Sequence, residues 1–132
     1  MVSSAHAISN GLAADGGLFV PKEFPPISLA EIDAMREAPY SDRALTVLAR
    51  FLTDYSEDEL RNCVETAYSK DRFGDFPAPL HLLKDNLDVL ELWHGPTCAF
   101  KDMALQILPL FLTKAVQKTG EQKKLVILVA TS

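Results

Sequence analysis

The sequence predicts an α/β chain, with a helical N-terminal subdomain followed by the incomplete beginning of a parallel-sheet domain. Three observations predict it. Apolar residues recur at helical spacing behind Ser-x-x-Glu boxes in the first half. A charged and then proline-containing stretch, Lys70 to Pro79, interrupts the chain. From Leu87 through Val129 the order is strand, helix, strand, which is the order of a right-handed parallel crossover. The border is placed between the two parts, giving residues 1–76 and 77–132.

Ser3 or Ser4 can cap a short helix through Ala5, Ala7 and Ile8 that Gly11 ends. Asp15-Gly16-Gly17 then supplies a turn into a brief strand, Leu18-Phe19-Val20, which the following prolines terminate. Ser28 with Glu31 and Ser56 with Glu59 have capping-box spacing, so a helix is expected after each, and Ser41 is expected to cap another between them. Leu60, Val64, Ala67 and Tyr68 fall on one helical face, and Ala44, Leu45, Leu48, Ala49 and Leu52 on a second, so the two faces are expected to share a core.

In the second part, Leu80 to Leu83 and Leu87 to Leu92 read as two strands joined at a hairpin-like turn, Lys84-Asp85-Asn86. A helix is expected from near Asp102 to about Lys118, stopped by Gly120 and kinked or broken by Pro109, which has no amide hydrogen to donate. Lys124 to Val129 is an aliphatic run typical of a strand buried on both faces.

Between the hairpin and that helix lies Trp93-His94-Gly95-Pro96-Thr97-Cys98-Ala99-Phe100-Lys101-Asp102. It carries Lys101 out of a strand, round a Gly-Pro corner and onto a helix start. Partial burial and the positive end of a helix both disfavour an ammonium, so a lowered pKa is expected for Lys101, and a free amine condenses with aldehydes. A lone lysine in such a place is ordinarily a solvated surface residue. The surrounding pattern argues for more.

His94-Gly95-Pro96-Thr97 followed by Phe100-Lys101-Asp102 resembles the pyridoxal-phosphate lysine segment of threonine synthases, HGPT-x-x-FKD. Asn10 to Pro21 resembles the same family's N-terminal GLA-x-DGGLFVP signature, in the right order and at about the family's separation. The resemblance covers nearly all of this chain and the N-terminal portion of the family, whose enzymes belong to the fold type II group of pyridoxal-phosphate enzymes. It implies a parent lyase of threonine biosynthesis that converts O-phospho-L-homoserine and water to L-threonine and phosphate. Lys101 is then the catalytic residue and the Schiff-base anchor of pyridoxal 5'-phosphate, and residues 77–132 begin the domain that binds this cofactor.

The family continues past the counterpart of Ala130-Thr131-Ser132 into a glycine-rich turn, and it has a further stretch before the counterpart of Val2-Ser3. The chain is therefore expected to be a fragment whose Met1 is an internal or artificial start, unable to hold the cofactor tightly or to turn over by itself. Thr131 and Ser132, at the carboxyl end of the expected central strand, and Thr97, in the lysine loop, are the candidate substrate contacts. Two alternatives stay open: a related pyridoxal-phosphate lyase of different substrate, and a non-catalytic folding or interaction module.

Composition narrows the classes further. A share of 48% hydrophobic and 23% charged residues is that of a chain able to bury a core. Thirteen basic against eighteen acidic residues, with no basic stripe, speaks against a nucleic-acid partner. The apolar runs are too short or too interrupted to span a bilayer, and the two cysteines suit a reducing compartment, so a cytoplasmic protein is expected. His94 and Cys98 lie four apart, but Gly95-Pro96 between them opposes the helix that would make them joint metal ligands, and no metal is expected. Phe100 is expected in the core, and Cys98 is expected to be small and buried. Asp15, Gly16 and Gly17 are assigned to turn geometry, and Asp102 to a favourable place in the first turn of a helix. An exposed edge at Lys124 to Val129 is expected to favour self-association.

Overall fold

The computed structural model describes residues 1–122 and 124–128. α1 (Ser4–Asn10) starts where the Ser3 side chain accepts the His6 amide and ends at Gly11, whose φ of 72° lies in the region open to glycine. The Asp15 carboxylate accepts the Gly17 amide, and Gly16 takes φ of 84° in the same turn, so these residues do build a turn. The strand expected at Leu18 to Val20 is absent: only an isolated bridge joins Leu12 to Leu18, because Pro21 follows at once and no longer partner lies alongside.

α2 (Leu29–Ala34) and α4 (Glu57–Ala67) both open on complete capping boxes, at Ser28 with Glu31 and at Ser56 with Glu59. Between them α3 (Tyr40–Leu48) begins two residues earlier than a Ser41 cap would place it, with Pro39 at the cap. The fixed φ of proline presets the first turn there, so the serine hydroxyl is not needed. α5 (Lys70–Phe73) is a single turn that buries Phe73.

β1 (Leu80–Lys84) and β2 (Leu87–Leu90) form an antiparallel hairpin in which Leu80 faces Leu90 and His81 faces Val89, with a bulge between Leu82 and Lys84. Asn86 takes a positive φ of 58° in the turn. The single long helix expected after Lys101 is two: α6 (Asp102–Leu105) and α7 (Leu108–Thr119), with Pro109 in the first turn of α7. A proline in that position gives up only an amide that has no partner in the helix, so the break falls before Pro109 rather than at it. Gly120, left-handed at φ 68°, stops α7 as expected.

The core gathers Ala5 of α1, Leu45 of α3, Leu60, Cys63, Val64 and Ala67 of α4, and Phe111 and Ala115 of α7, together with Tyr55 and Ile107. The face predicted on α4 is the buried one, whereas on the second face Leu45 is buried, Ala44, Leu48 and Leu52 are partly so, and Ala49 is exposed. The core therefore reaches across the 76/77 border, since α7 packs on α1 and α4. Polar ties reinforce the joint: the Tyr55 hydroxyl donates to the Phe111 carbonyl at 3.1 Å, and Lys118 pairs with Glu59 at 2.7 Å while lying over the Tyr55 ring.

Architecturally, the chain is a helical cluster carrying a small two-stranded sheet, the arrangement of an incomplete α/β domain. Residues 124–128 do not form the strand expected of them, and Val129 lies outside the described residues. Among the described residues the one sheet is the hairpin, which leaves no parallel neighbour to accept the amides of a further strand.

Candidate functional site

The loop from Glu91 to Lys101 is organised from within. His94 pairs through Nε2 with a Glu91 carboxylate oxygen at 2.7 Å, and its ring stacks against Trp93. The Cys98 amide donates to the Gly95 carbonyl at 3.0 Å, and Cys98 itself takes the left-handed region at φ 56°. Few non-glycine residues adopt that conformation, and here it turns the chain back toward the start of α6. Cys98 is exposed rather than buried, because this turn faces it outward.

Asp102 is the anchor of the loop. Its side chain is fully buried, and one carboxylate oxygen accepts both the Thr97 amide at 2.7 Å and the Thr97 hydroxyl at 2.9 Å. The other accepts Gln106 Nε2 at 3.4 Å, and Gln106 Oε1 in turn accepts Arg72 Nη1 of α5 at 2.8 Å. Burial by itself would raise this carboxyl, but the Thr97 amide and hydroxyl, Gln106 and the Ala99 backbone outweigh it and hold Asp102 below the ordinary carboxylate value. Gly95 makes the approach feasible, since a Cβ on it would stand 2.5 Å from the Asp102 Cβ.

Lys101 immediately precedes Asp102, at the cap of α6. It is exposed, so the partial burial expected from the sequence is absent. The lysine lines a cavity of about 750 Å³ whose walls include Tyr40, Arg43, Leu80, Leu90 and Phe100. Phe100 is 64% exposed and belongs to this wall instead of the core, because the two residues flanking Lys101 point to opposite environments. Burial raises the Tyr40 hydroxyl above its usual range. From below, the Tyr68 hydroxyl donates to the Met103 carbonyl at 2.8 Å and fixes α6 against α4.

The structure therefore ties Thr97 to Asp102, the residue that directly follows Lys101. Thr97 gives both its amide and its hydroxyl to Asp102. Thr131 and Ser132 lie outside the described residues. Arg43 and Tyr40, from the helical half, were not singled out from the sequence, because nothing local marks a surface residue of α3 as facing a loop about sixty positions away. Among the described residues no group of three His, Cys, Asp or Glu side chains is placed to hold a metal ion, and no helix is long and apolar enough to cross a membrane.

The cavity is lined by a primary amine, Lys101, by apolar side chains that include Leu80, Leu90 and the aromatic Phe100, and by a guanidinium, Arg43. That donor set suits a planar aldehyde bearing an anionic group.

Comparison with known proteins agrees with the motifs. Residues 1–68 match the family described as Threonine synthase N terminus. The chain is 39% identical to a threonine synthase of Schizosaccharomyces pombe over 98% of its own length and 27% of that protein. It is 40% identical to the human Threonine synthase-like 1 over 97% of its length and 17% of that protein. A crystal structure of threonine synthase from Brucella melitensis with PLP bound superposes with a TM-score of 0.84 at 36% identity, covering 91% of this chain and 26% of that one. The chain thus spans between about a sixth and a quarter of the length of these relatives.

Proposed function

We propose, for a chain that belongs to the family of threonine synthase N termini, that it is the N-terminal part of a threonine synthase using pyridoxal 5'-phosphate, with Lys101 as the catalytic lysine. The single observation that carries this reading is the HGPT-x-x-FKD segment, whose lysine is presented to a cavity of about 750 Å³ while the aspartate beside it is clamped inside the protein. The reading extends to the parent's reaction, a lyase step of threonine biosynthesis that takes O-phospho-L-homoserine and water to L-threonine and phosphate in the cytoplasm. Two free thiols, Cys63 and Cys98, are in keeping with that compartment.

Pyridoxal phosphate, when bound, supplies an electron sink for carbanions. The chain supplies placement and proton movement. Lys101 would hold the aldehyde end through its amine and afterwards carry protons at Nζ between substrate carbons and water. Leu80, Leu90 and Phe100 would flank the ring and exclude water. Arg43 is the guanidinium in reach of an anionic group on cofactor or substrate. The candidate substrate contacts remain Thr97, Thr131 and Ser132. Thr97 already has its hydroxyl and its amide committed to Asp102, so its backbone carbonyl is the freer contact.

We read residues 1–76 as the family's N-terminal subdomain and 77–132 as the beginning of the cofactor domain, a division supported by the match ending at residue 68 and by the turn-rich stretch before β1. With a mainly apolar cavity, residues 1–132 by themselves are expected to bind the cofactor weakly and to turn over negligibly. Exposed Leu80, Leu82 and Leu125 to Leu128 support self-association of the isolated chain.

The decisive experiment assays the full-length protein that carries this sequence for phosphate release from O-phospho-L-homoserine. Activity that Lys101→Ala lowers by roughly 10³-fold is expected. Activity on serine or threonine in its place would favour the second reading, a related lyase, to which the 40% identity with a Threonine synthase-like 1 lends support. Retained activity in Lys101→Ala would overturn both.

A further inference from the structure

We propose that Asp102 is a positioning residue for Lys101, and that Gly95, Thr97 and Gln106 form with it a clasp that fixes where the lysine amine enters the cavity. The inference deepens the reading of Lys101 given above and rests on it. Its observations are geometric. Asp102 is the one buried charged residue among those described, at 0% exposure, and it follows Lys101 directly, so whatever holds one backbone holds the other.

A favourable place near a helix end does not explain this geometry. A carboxylate serving only the dipole of the four-residue α6 could remain solvated at its surface, where screening costs it little. Asp102 instead turns back across five residues to take both donors of Thr97, the residue that leaves the Gly-Pro corner. Burying a carboxylate is unfavourable unless its oxygens are filled, and here they are filled by neutral donors alone, Thr97 and Gln106. The consequence is a closed loop from Thr97 to Asp102, within which Cys98 holds its left-handed turn and the Lys101 backbone is held next to the anchored Asp102.

Gly95 and Arg72 extend the clasp in two directions. Any side chain at position 95 would meet the Asp102 Cβ at 2.5 Å and its Oδ2 at 2.7 Å, so the glycine is required by close approach and not by backbone conformation. Arg72 donates to Gln106 and thereby links the clasp to α5, so the helical half of the chain braces the lysine loop. Lys101 itself takes no part in the clasp, which leaves its amine available.

The test treats the 132-residue chain with millimolar pyridoxal phosphate, fixes the linkage with borohydride, and maps the label by peptide mass among Lys101 and the surface lysines Lys70 and Lys84. In the wild type, Lys101 is expected to take the larger share. Asp102→Asn, Gly95→Ala and Thr97→Val are each expected to lower the Lys101 share roughly tenfold, toward that of Lys84, while Thr97→Ser, which keeps both donors, retains it. A merely structural role would lower the melting temperature of these variants without moving the share. Wild-type preference with undiminished share in folded Asp102→Asn or Thr97→Val overturns the clasp alone. Absence of preference in the wild type overturns the clasp, whereas the assignment of Lys101 stands or falls on the Lys101→Ala assay of the full-length protein. If Asp102→Asn does not fold, the Thr97→Val and Thr97→Ser pair decides.

Discussion

The helical cluster and the hairpin side of this chain treat the same residue types in opposite ways. Leu60, Val64 and Ala67 of α4 are buried to about 1% exposure or less against α1, α3 and α7. Leu80, Leu82 and Leu83 of β1 are all exposed, as are Leu125 to Leu128, with Leu128 at 91%. The difference is in connectivity, not composition. An amphipathic helix needs only a second helix to cover its apolar stripe, whereas a strand buried on both faces needs neighbours at its edges and layers above and below. The lysine loop runs between the two regions, and through Asp102, Gln106 and Arg72 it is tied to the helical one.

The largest expected effect tests that contrast directly. Leu60→Ala deletes buried methyl groups from the centre of the cluster and is expected to cost about 2–5 kcal/mol. Leu82→Ala removes the same atoms from a side chain that is 64% exposed, and it is expected to change stability by less than about 0.5 kcal/mol. Urea unfolding of both variants measures the pair. Equal losses would mean that the hairpin is packed against a partner copy, which light scattering over a range of concentrations would reveal as association.

Much of this was legible in the sequence, and the limits have physical causes. The two Ser-x-x-Glu boxes, Gly11, Gly120 and the hairpin turn are local devices that act within four residues, so pattern alone identified them. Lys101 stands out in the sequence for a different reason, because a long motif surrounds it. What escaped was set by distance in the chain. Arg43 and Tyr40 meet the lysine cavity only through tertiary packing, and the buried state of Asp102 depends on a contact with Gly95 that no periodicity signals. Phe100 and Cys98 were expected inside and are outside, since residue type fixes a preference while the turn at Cys98 fixes the direction.

A second effect, about 1–2 kcal/mol, concerns the pin that holds α1 onto the cluster. The Asp54 carboxylate accepts the amides of Ser4 at 3.2 Å and Ala5 at 2.9 Å. Burial would raise its pKa, but the Ala5 amide, the Ser4 hydroxyl and neighbouring backbone outweigh that and lower it from 3.8. A carboxyl lowered in the folded state binds protons more readily when unfolded, so its contribution is present above the unfolded value and is lost as pH falls through the folded one. Asp102 has the same sign. Stability should therefore fall as pH drops below about 4, and Asp54→Asn should flatten that descent while losing stability at neutral pH. Thermal melts between pH 2 and 7 test it, and an unchanged acid limb in Asp54→Asn would assign the descent elsewhere.

A third and smaller effect separates two serines that share one sequence role. Ser56→Ala removes a hydroxyl that accepts the Glu59 amide at 3.2 Å and should cost about 1 kcal/mol. Ser41→Ala, one residue inside α3 behind a Pro39 cap, should cost less than about 0.5 kcal/mol. The same denaturation measurement ranks them, and a reversed order would return the start of α3 to Ser41.

The smallest perturbation leaves the chain unaltered and reads both regions at once through their thiols. Cys63 lies in the cluster at 1% exposure, where burial pushes its pKa up against the opposing pull of Lys114. Cys98 lies exposed in the lysine loop. Attack by a disulfide reagent needs a thiolate and access, and Cys63 lacks both unless the helices separate. Cys98 should react at least about tenfold faster, and the slow phase should accelerate in Leu60→Ala while the fast phase stays put. Were the fast phase to accelerate as well, the loop would be opening with the cluster, and the two regions would be one cooperative unit joined through Asp102 and Arg72.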